Sequence, residues 1–368
     1  MIQVARPFFS NKESILKAVD KVLDSGRLMN GEMTEKFEKG FADYTGTRHA
    51  ISVNSCTTAL EIVLRHIDVK GREVIVPTNT FIATANAVLF AGGKPVLVDV
   101  KEDSYNIDPE GIEKKINDKT KAVIVVHTSG FICEDMPEIQ RICEEHNLSL
   151  IEDCAHAVGA IFKGKKAGSF GFAGCFSFYP TKVMTTGTGG MITTDSKELD
   201  DVARSLRVHG RSEKGISDII NLGNDWFMDE VRATLGYYQL LDLENMLSKR
   251  REIAKKYAEK LRSLKKIRVL PLPSASNPSY YKFPVLLDRS INAAQFKEAF
   301  LRKYNIELEG IYWPTCHLQP IYRKMFGYKE GDFPVAERIL SRQITLPIHP
   351  LIEDKDIDYV ITKLEKEL

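Results

Sequence analysis

Lys182 ends the run Ser177-Phe178-Tyr179-Pro180-Thr181-Lys182 and is followed by Gly187-Thr188-Gly189-Gly190. A lysine amine is a strongly hydrated point charge, so its place between an apolar segment and a glycine-rich turn suggests chemistry in preference to solubility. The chemistry open to it is condensation with an aldehyde. An aldehyde cofactor such as pyridoxal phosphate also needs a carboxylate for its pyridine nitrogen and donors for its phosphate. Asp153, 29 residues before the lysine in Glu152-Asp153-Cys154-Ala155-His156-Ala157, offers the carboxylate. Alone it reads more readily as a helix cap after a strand; paired with the lysine run, it reads as the partner of the ring. His156 either reaches the ring's phenolic oxygen or is a satisfied interior histidine.

Phosphate donors are offered by Asn54-Ser55-Cys56-Thr57-Thr58-Ala59, between a strand and a helix, where free N–H groups and the helix dipole favour an anion. The Thr57 and Thr58 hydroxyls add donors there, and Ser177 adds one from across the site. Serine and threonine also cap helices with no ligand present. Phe81, after Pro77-Thr78-Asn79-Thr80, is an aromatic plate for a flat ring, or a core residue. Gly187 to Gly190 reads as a turn that lets the backbone pass close to the site, not as a dinucleotide fingerprint.

The elements that position these residues follow from hydrophobic spacing. Short β-branched runs alternate with helical segments from residue 49 onward: Ala50-Val53 then Thr57-Ile67, Glu73-Val76 then Ala83-Ala91, and Pro95-Val98 then Pro109-Ile116. Strands are expected at Ala122-His127, Leu148-Asp153, Cys175-Phe178 and Met191-Thr194, with helices at Met136-Asn147 and from Lys197 to about His209. This is the rhythm of a mostly parallel α/β sheet flanked by helices, whose strand carboxyl ends gather ligands. A helix at 10 to 25 opens at Ser10 as N-cap with Glu13 three positions on, and stops at Gly26. Residues 229 to 264 read as mainly helical. The expected division is a large domain over 1–245, with the N-terminal helical segment, and a small α/β domain over 246–368. Within the latter, Tyr280-Leu287 is a strand and Ala293-Lys303 an amphipathic helix.

Composition narrows the function. A chain of 368 residues is long enough for two domains, and a net charge of +1 gives no global field for nucleic acid or an anionic membrane. Any anionic ligand must be held locally. The six cysteines form no C-x-x-C pair, so neither a disulfide framework nor a metal site is expected. No secretory leader or membrane-spanning run is evident, and a cytoplasmic location is expected.

With these motifs assembled, the chain resembles the DegT/DnrJ/StrS sugar aminotransferase family of pyridoxal phosphate enzymes, fold type I. The likeness runs over nearly the whole length. It rests on Asn54 to Leu60, Glu73-Val74-Ile75-Val76-Pro77, Thr80-Phe81-Ile82-Ala83-Thr84, Val96 to Val100, Glu152 to Gly159 and Ser177 to Gly190. His317-Leu318-Gln319-Pro320 and Leu346-Pro347-Ile348-His349-Pro350 extend it. The resemblance implies a Lys182 that binds the cofactor and moves a proton, Asp153 at the pyridine nitrogen, His156 by the phenolic oxygen and Phe81 stacked on the ring. Thr57, Ser177 and the Cys56 backbone would hold the phosphate.

It further implies amino transfer from glutamate or glutamine to a keto group of a nucleotide-linked sugar, through pyridoxamine phosphate, in a homodimer. Two departures stand out. Cys56 replaces the family's usual glycine. In Gly223-Asn224-Asp225-Trp226-Phe227-Met228, Asp225 occupies the place of an asparagine that reaches the partner subunit's phosphate and Phe227 that of an arginine, with Asn224 the alternative to Asp225 after a one-residue shift. A dehydratase of the same family and a non-catalytic, cofactor-binding regulator are the competing readings; the lysine weighs against the first, since dehydratases carry histidine there. Arg207, His209 and Arg211 form a basic loop suited to a diphosphate, or a merely solvated one. Tyr312, Trp313 and His317 are expected near the sugar.

Overall fold

The computed structural model describes residues 1–212 and 215–368. A seven-stranded sheet has the order β1-β9-β8-β5-β4-β2-β3. Its strands are β1 (His49–Val53), β2 (Glu73–Pro77), β3 (Lys94–Val98), β4 (Thr120–Val126), β5 (Ser149–Asp153), β8 (Ala173–Ser177) and β9 (Gly190–Thr194). Only β9 opposes its neighbours, pairing antiparallel with both β1 and β8. The carboxyl ends of the other six therefore share one edge, and Asp153 and Ser177 are the last residues of β5 and β8. These strands are almost wholly buried, which is why they read as continuous apolar runs.

The helices on the two faces are α1 (Lys12–Ser25), α2 (Glu32–Thr45), α3 (Cys56–His66), α4 (Ile82–Phe90), α5 (Pro109–Lys115), α6 (Met136–Glu145), α7 (Lys197–Leu206) and α8 (Glu230–Leu241). One apolar core includes Phe37, Phe41, Phe176 and Phe178 under α2; the other includes Leu60, Ile62, Val88 and Ile124 under α3 and α4. A third core forms around the three-stranded sheet β12 (Ile267–Val269), β14 (Phe283–Leu287) and β15 (Gln343–Leu346). It takes in α10 (Ala293–Tyr304) and α13 (Asp354–Glu367). The long helix α9 (Leu243–Leu261) serves two cores, giving Leu243, Met246 and Leu247 to the first and Ile253, Tyr257 and Leu261 to the third. Short helices α11 (Pro320–Phe326) and α12 (Pro334–Leu340) return Tyr322, Ile339 and Leu340 to the core of α3 and α4. Strands β6 (Ile161–Phe162), β7 (Lys165–Lys166) and β13 (Ser276–Asn277) form a minor sheet, and β10 (Arg211–Ser212) pairs antiparallel with β11 (Gly215–Ile219). Among the described residues, no helix is long and apolar enough to cross a membrane.

Several boundaries differ from expectation for identifiable reasons. The N-cap of α1 is Asn11, not Ser10, and it makes no side-chain cap; Gly26 ends the helix in the left-handed conformation as expected. The strand expected from Tyr280 begins only at Phe283, because Tyr280 has φ of 47° and breaks the extended run. The helix expected to reach His209 stops at Leu206. Helix α2 was not foreseen. Its extended N-cap, Gly31, has no capping side chain, and the carboxylate that satisfies its first turn comes from afar: Glu230 accepts the Gly31, Met33 and Thr34 N–H groups, each at 2.9 Å.

Candidate active site

At the shared carboxyl edge lies a cavity of about 510 Å³ whose wall includes Cys56, Thr57, Phe81, Asp153, His156, Ser177 and Lys182. The structure thus brings seven of the eight expected site residues together from four separate segments. Asp225 is absent from this wall. It is exposed, its backbone carbonyl accepts from Asn54 Nδ2 (3.3 Å), and its N–H donates to Asn224 Oδ1 (2.8 Å).

The anion end of the cavity is built by the start of α3. Ser55 caps the helix, its Oγ accepting from the Thr58 N–H at 3.1 Å. The Cys56 and Thr57 N–H groups precede any intrahelical acceptor and, among the described residues, have no partner. The Thr57 and Ser177 hydroxyls are likewise unpartnered there. Thr58 was expected to add a donor, but its hydroxyl is buried and donates to Asn54 Oδ1 at 2.7 Å. The turn before β9 presses against this cup: a Cβ on Gly190 would lie 2.4 Å from the Ser55 carbonyl carbon and 2.7 Å from the Cys56 nitrogen. The Cys56 side chain turns away, its Sγ 3.4 Å from the Cys175 carbonyl oxygen and 3.9 Å from Asp153 Oδ1. Burial, followed by the Asp153 charge, pushes the thiol well above its usual range, so it stays protonated.

Asp153 is 5 % exposed and firmly held. Oδ1 accepts the Ala155 N–H (3.0 Å) and Oδ2 accepts the Thr84 hydroxyl (2.7 Å). Because a carboxylate only accepts, Thr84 must donate to it, and Thr80, 2.6 Å from Thr84 Oγ1, must donate to Thr84. Next along the chain, His156 accepts the Ser129 N–H at Nδ1 (3.2 Å). Burial, then the Lys182 and Lys282 ammoniums, lower its pKa well below the ordinary 6.5. The neutral ring therefore carries its proton on Nε2, which donates to Tyr312 Oη at 2.6 Å. This tautomer presents an N–H donor to the cavity.

Lys182 Nζ has no hydrogen-bond partner among the described residues and lies 4.5 Å from the centroid of the Tyr281 ring. Phe81 stands at the mouth, 59 % exposed, with its ring 6.1 Å from that of Tyr312. A free amine, a buried carboxylate, a histidine N–H and an unpartnered cup of backbone and hydroxyl donors suit the four polar features of pyridoxal phosphate: aldehyde, pyridine nitrogen, phenolic oxygen and phosphate.

Other expectations fall away from the cavity. Arg207 is not part of a solvated loop: it is 5 % exposed and donates to the Glu38 carboxylate and to the Ser52 carbonyl oxygen (2.8 Å). His317 is fully buried, its Nδ1 within 2.9 Å of the Thr78 and Thr315 hydroxyls and its Nε2 donating to Glu337 at 2.9 Å. It fastens the segment carrying Tyr312 to the end of β2. Tyr179, Tyr281 and Thr84 also line the cavity and were not singled out from the sequence. Glu152, beside Asp153, faces the other way and accepts from the N–H groups of Gly168, Phe170 and Gly171 and from His127 Nε2.

The model of the DegT/DnrJ/EryC1/StrS aminotransferase family matches residues 10–365. An uncharacterized protein, MJ1066, of Methanocaldococcus jannaschii is 40 % identical, with 96 % of this chain and 95 % of that one covered. A UDP-N-acetyl-3-dehydro-alpha-D-glucosamine 3-aminotransferase of Acidithiobacillus ferrooxidans is 35 % identical over 100 % of this chain and 97 % of its own. Among solved structures, the PLP-form of the putative sugar aminotransferase Spr1654 from Streptococcus pneumoniae superposes with a TM-score of 0.92 at 26 % identity, covering 99 % of each chain.

Proposed function

The chain belongs to the DegT/DnrJ/EryC1/StrS aminotransferase family and is a transaminase, and on that premise we propose that it moves an amino group from glutamate or glutamine to a keto group of a nucleotide-linked sugar. The observation that carries this reading is the convergence on one cavity of the unpartnered Lys182 amine, the held Asp153 carboxylate and the open donor cup. The family depends on pyridoxal phosphate. When bound, it supplies an aldehyde and an electron sink, so that nitrogen taken from the donor is passed to the acceptor in a second, separate half-reaction. Ping-pong kinetics follow.

Each residue then has a task set by its own chemistry. The Cys56 and Thr57 N–H groups and the Thr57 and Ser177 hydroxyls would hold the phosphate. Asp153, with Thr84 and the Ala155 N–H fixing its two oxygens, would pair with the pyridine nitrogen. His156 Nε2–H, which now meets Tyr312 Oη, would turn to the phenolic oxygen, and Phe81 would cover the ring. Lys182 Nζ, once free, is the base that carries the proton away from the donor's carbon. Asp225 and Asn224 face outward, and in a homodimer one of them would meet the partner subunit's phosphate. The division between domains falls in α9, the helix shared by two cores. A cytoplasmic setting fits the scattered free thiols.

The test is a pair of half-reactions. Protein loaded with pyridoxal phosphate should lose its visible absorption on addition of glutamate or glutamine and regain it with one of a panel of nucleotide 3-keto and 4-keto sugars, which gains an amine. Consumption of the keto sugar without nitrogen gain would favour the dehydratase, and a spectrum no substrate changes would favour a binding protein.

A further inference from the structure

We propose that Tyr281 is a positioning residue for Lys182, its ring face serving as the rest on which the ε-ammonium is held while the lysine is off the cofactor. The inference builds on the function proposed above, in which Lys182 must repeatedly leave the cofactor and return to it.

Four observations support it. First, the Lys182 nitrogen lies 4.5 Å from the Tyr281 centroid and, among the described residues, has no hydrogen-bond or ion-pair partner, so the ring is what locates the amine. Attraction of an ammonium to the negative face of an aromatic ring is strongest where water is excluded. Tyr281 is 6 % exposed. Second, the ring cannot turn freely. Its hydroxyl lies 3.2 Å from Thr181 Oγ1, the residue before the lysine, and its face is 4.3 Å from the His156 ring. Third, the backbone bearing it is stapled to the far side of the cavity: the Ser279 N–H donates to the Gly130 carbonyl and the Lys282 N–H to the Ser129 carbonyl. The same turn donates the Ser129 N–H to His156, so tyrosine and histidine share one mounting, to which the Thr181 hydroxyl links the segment of the lysine. Fourth, Lys282 lies 5.8 Å from the centroid of the same ring. Although burial alone would raise the phenol's pKa, the Lys182 and Lys282 charges and the Thr181 bond together lower it. Both charges are therefore felt at this side chain. Lys282 is itself paired with Glu309 at 2.6 Å, which leaves Lys182 as the cation that depends on the ring.

The bland alternative is that Tyr281 only fills space in the wall. Replacing residue 281 by phenylalanine, then by mono- and trifluorinated phenylalanine, separates the two, because fluorine drains the ring face of negative charge while scarcely altering its shape. In the protein freed of cofactor, the rate at which Lys182 is acylated by an amine-reactive reagent is read by peptide mass spectrometry. The Tyr281→Phe protein should label like the natural one. The fluorinated series should label progressively faster, up to about two- to thirty-fold, the range of such attractions from exposed to desolvated sites. A flat series across correctly folded proteins overturns the proposal. With cofactor added, the Lys182-bound visible absorption should grow in with rates that change in the same order as the labelling, because the same freed amine is the nucleophile in both reactions. If the natural protein shows no such absorption, the proposed function fails while the labelling series still reports on the ring.

Discussion

Thr84→Val removes one oxygen and should reveal how much of the site rests on a held Asp153. The Thr84 hydroxyl donates to Asp153 Oδ2 at 2.7 Å, and both side chains are buried, at 1 % and 5 % exposure. A hydrogen bond to a charged group contributes about 1.5–3 kcal/mol, and leaving a buried polar group unsatisfied costs about 1–3 kcal/mol. Valine abolishes the donor to Oδ2 and also strips Thr80 of its acceptor at 2.6 Å. The Ala155 N–H and the distant Cys56 thiol still serve Oδ1, so the carboxylate is weakened and not freed. The expected loss is about 2–4 kcal/mol in urea unfolding of the cofactor-free protein, with weaker binding of pyridoxal phosphate. A double-mutant cycle with Asp153→Asn isolates the contact, and coupling of at least about 1 kcal/mol is expected for directly bonded buried groups. Additive single effects, or a Thr84→Val protein within about 0.5 kcal/mol of the natural one, would refute the claim that this hydroxyl holds the carboxylate.

Three further outcomes follow from the geometry. Arg207→Leu should destabilise folding by about 1.5–3 kcal/mol in urea melts, because buried Glu38 loses one of its two guanidinium partners and keeps Arg204, with little change in the KM of the keto sugar in the protein that remains folded. Glu152→Gln should cost about 2–4 kcal/mol in the same assay, since an amide nitrogen would face N–H donors that the carboxylate now satisfies. His156 has a folded pKa lowered below 6.5, so the unfolded chain gains a proton first as pH falls; stability should decline below about pH 6.5, and more gently in His156→Gln, as followed by melting temperature against pH.

What the sequence disclosed and what it concealed divide along physical lines. Lys182, Asp153, Ser177 and Thr57 were readable because each sits at a strand end or helix start within a few residues of a local signal. Of the six strands running one way, β1 to β4 were readable as buried β-branched runs, and β5 and β8 as short buried apolar ones. Helix α2 was missed because its cap, Glu230, lies 199 residues from Gly31 and leaves no local trace. Arg207 reads locally as a loop cation because its partner, Glu38, is 169 residues away. Tyr281 and Thr84 were passed over for the same reason: an aromatic before a strand and a threonine in a helix are ordinary until folding sets them beside Lys182 and Asp153. Thr58 shows the converse, a hydroxyl correctly placed on the helix but already committed to Asn54.

The central claim is that Lys182 is the amine that takes the cofactor. Protein loaded with pyridoxal phosphate, reduced with borohydride and digested, should yield a single pyridoxylated peptide, the one containing Lys182, and Lys182→Ala should yield none. A label on another lysine, or an unlabelled Lys182 peptide in a protein that has bound the cofactor, would contradict the account.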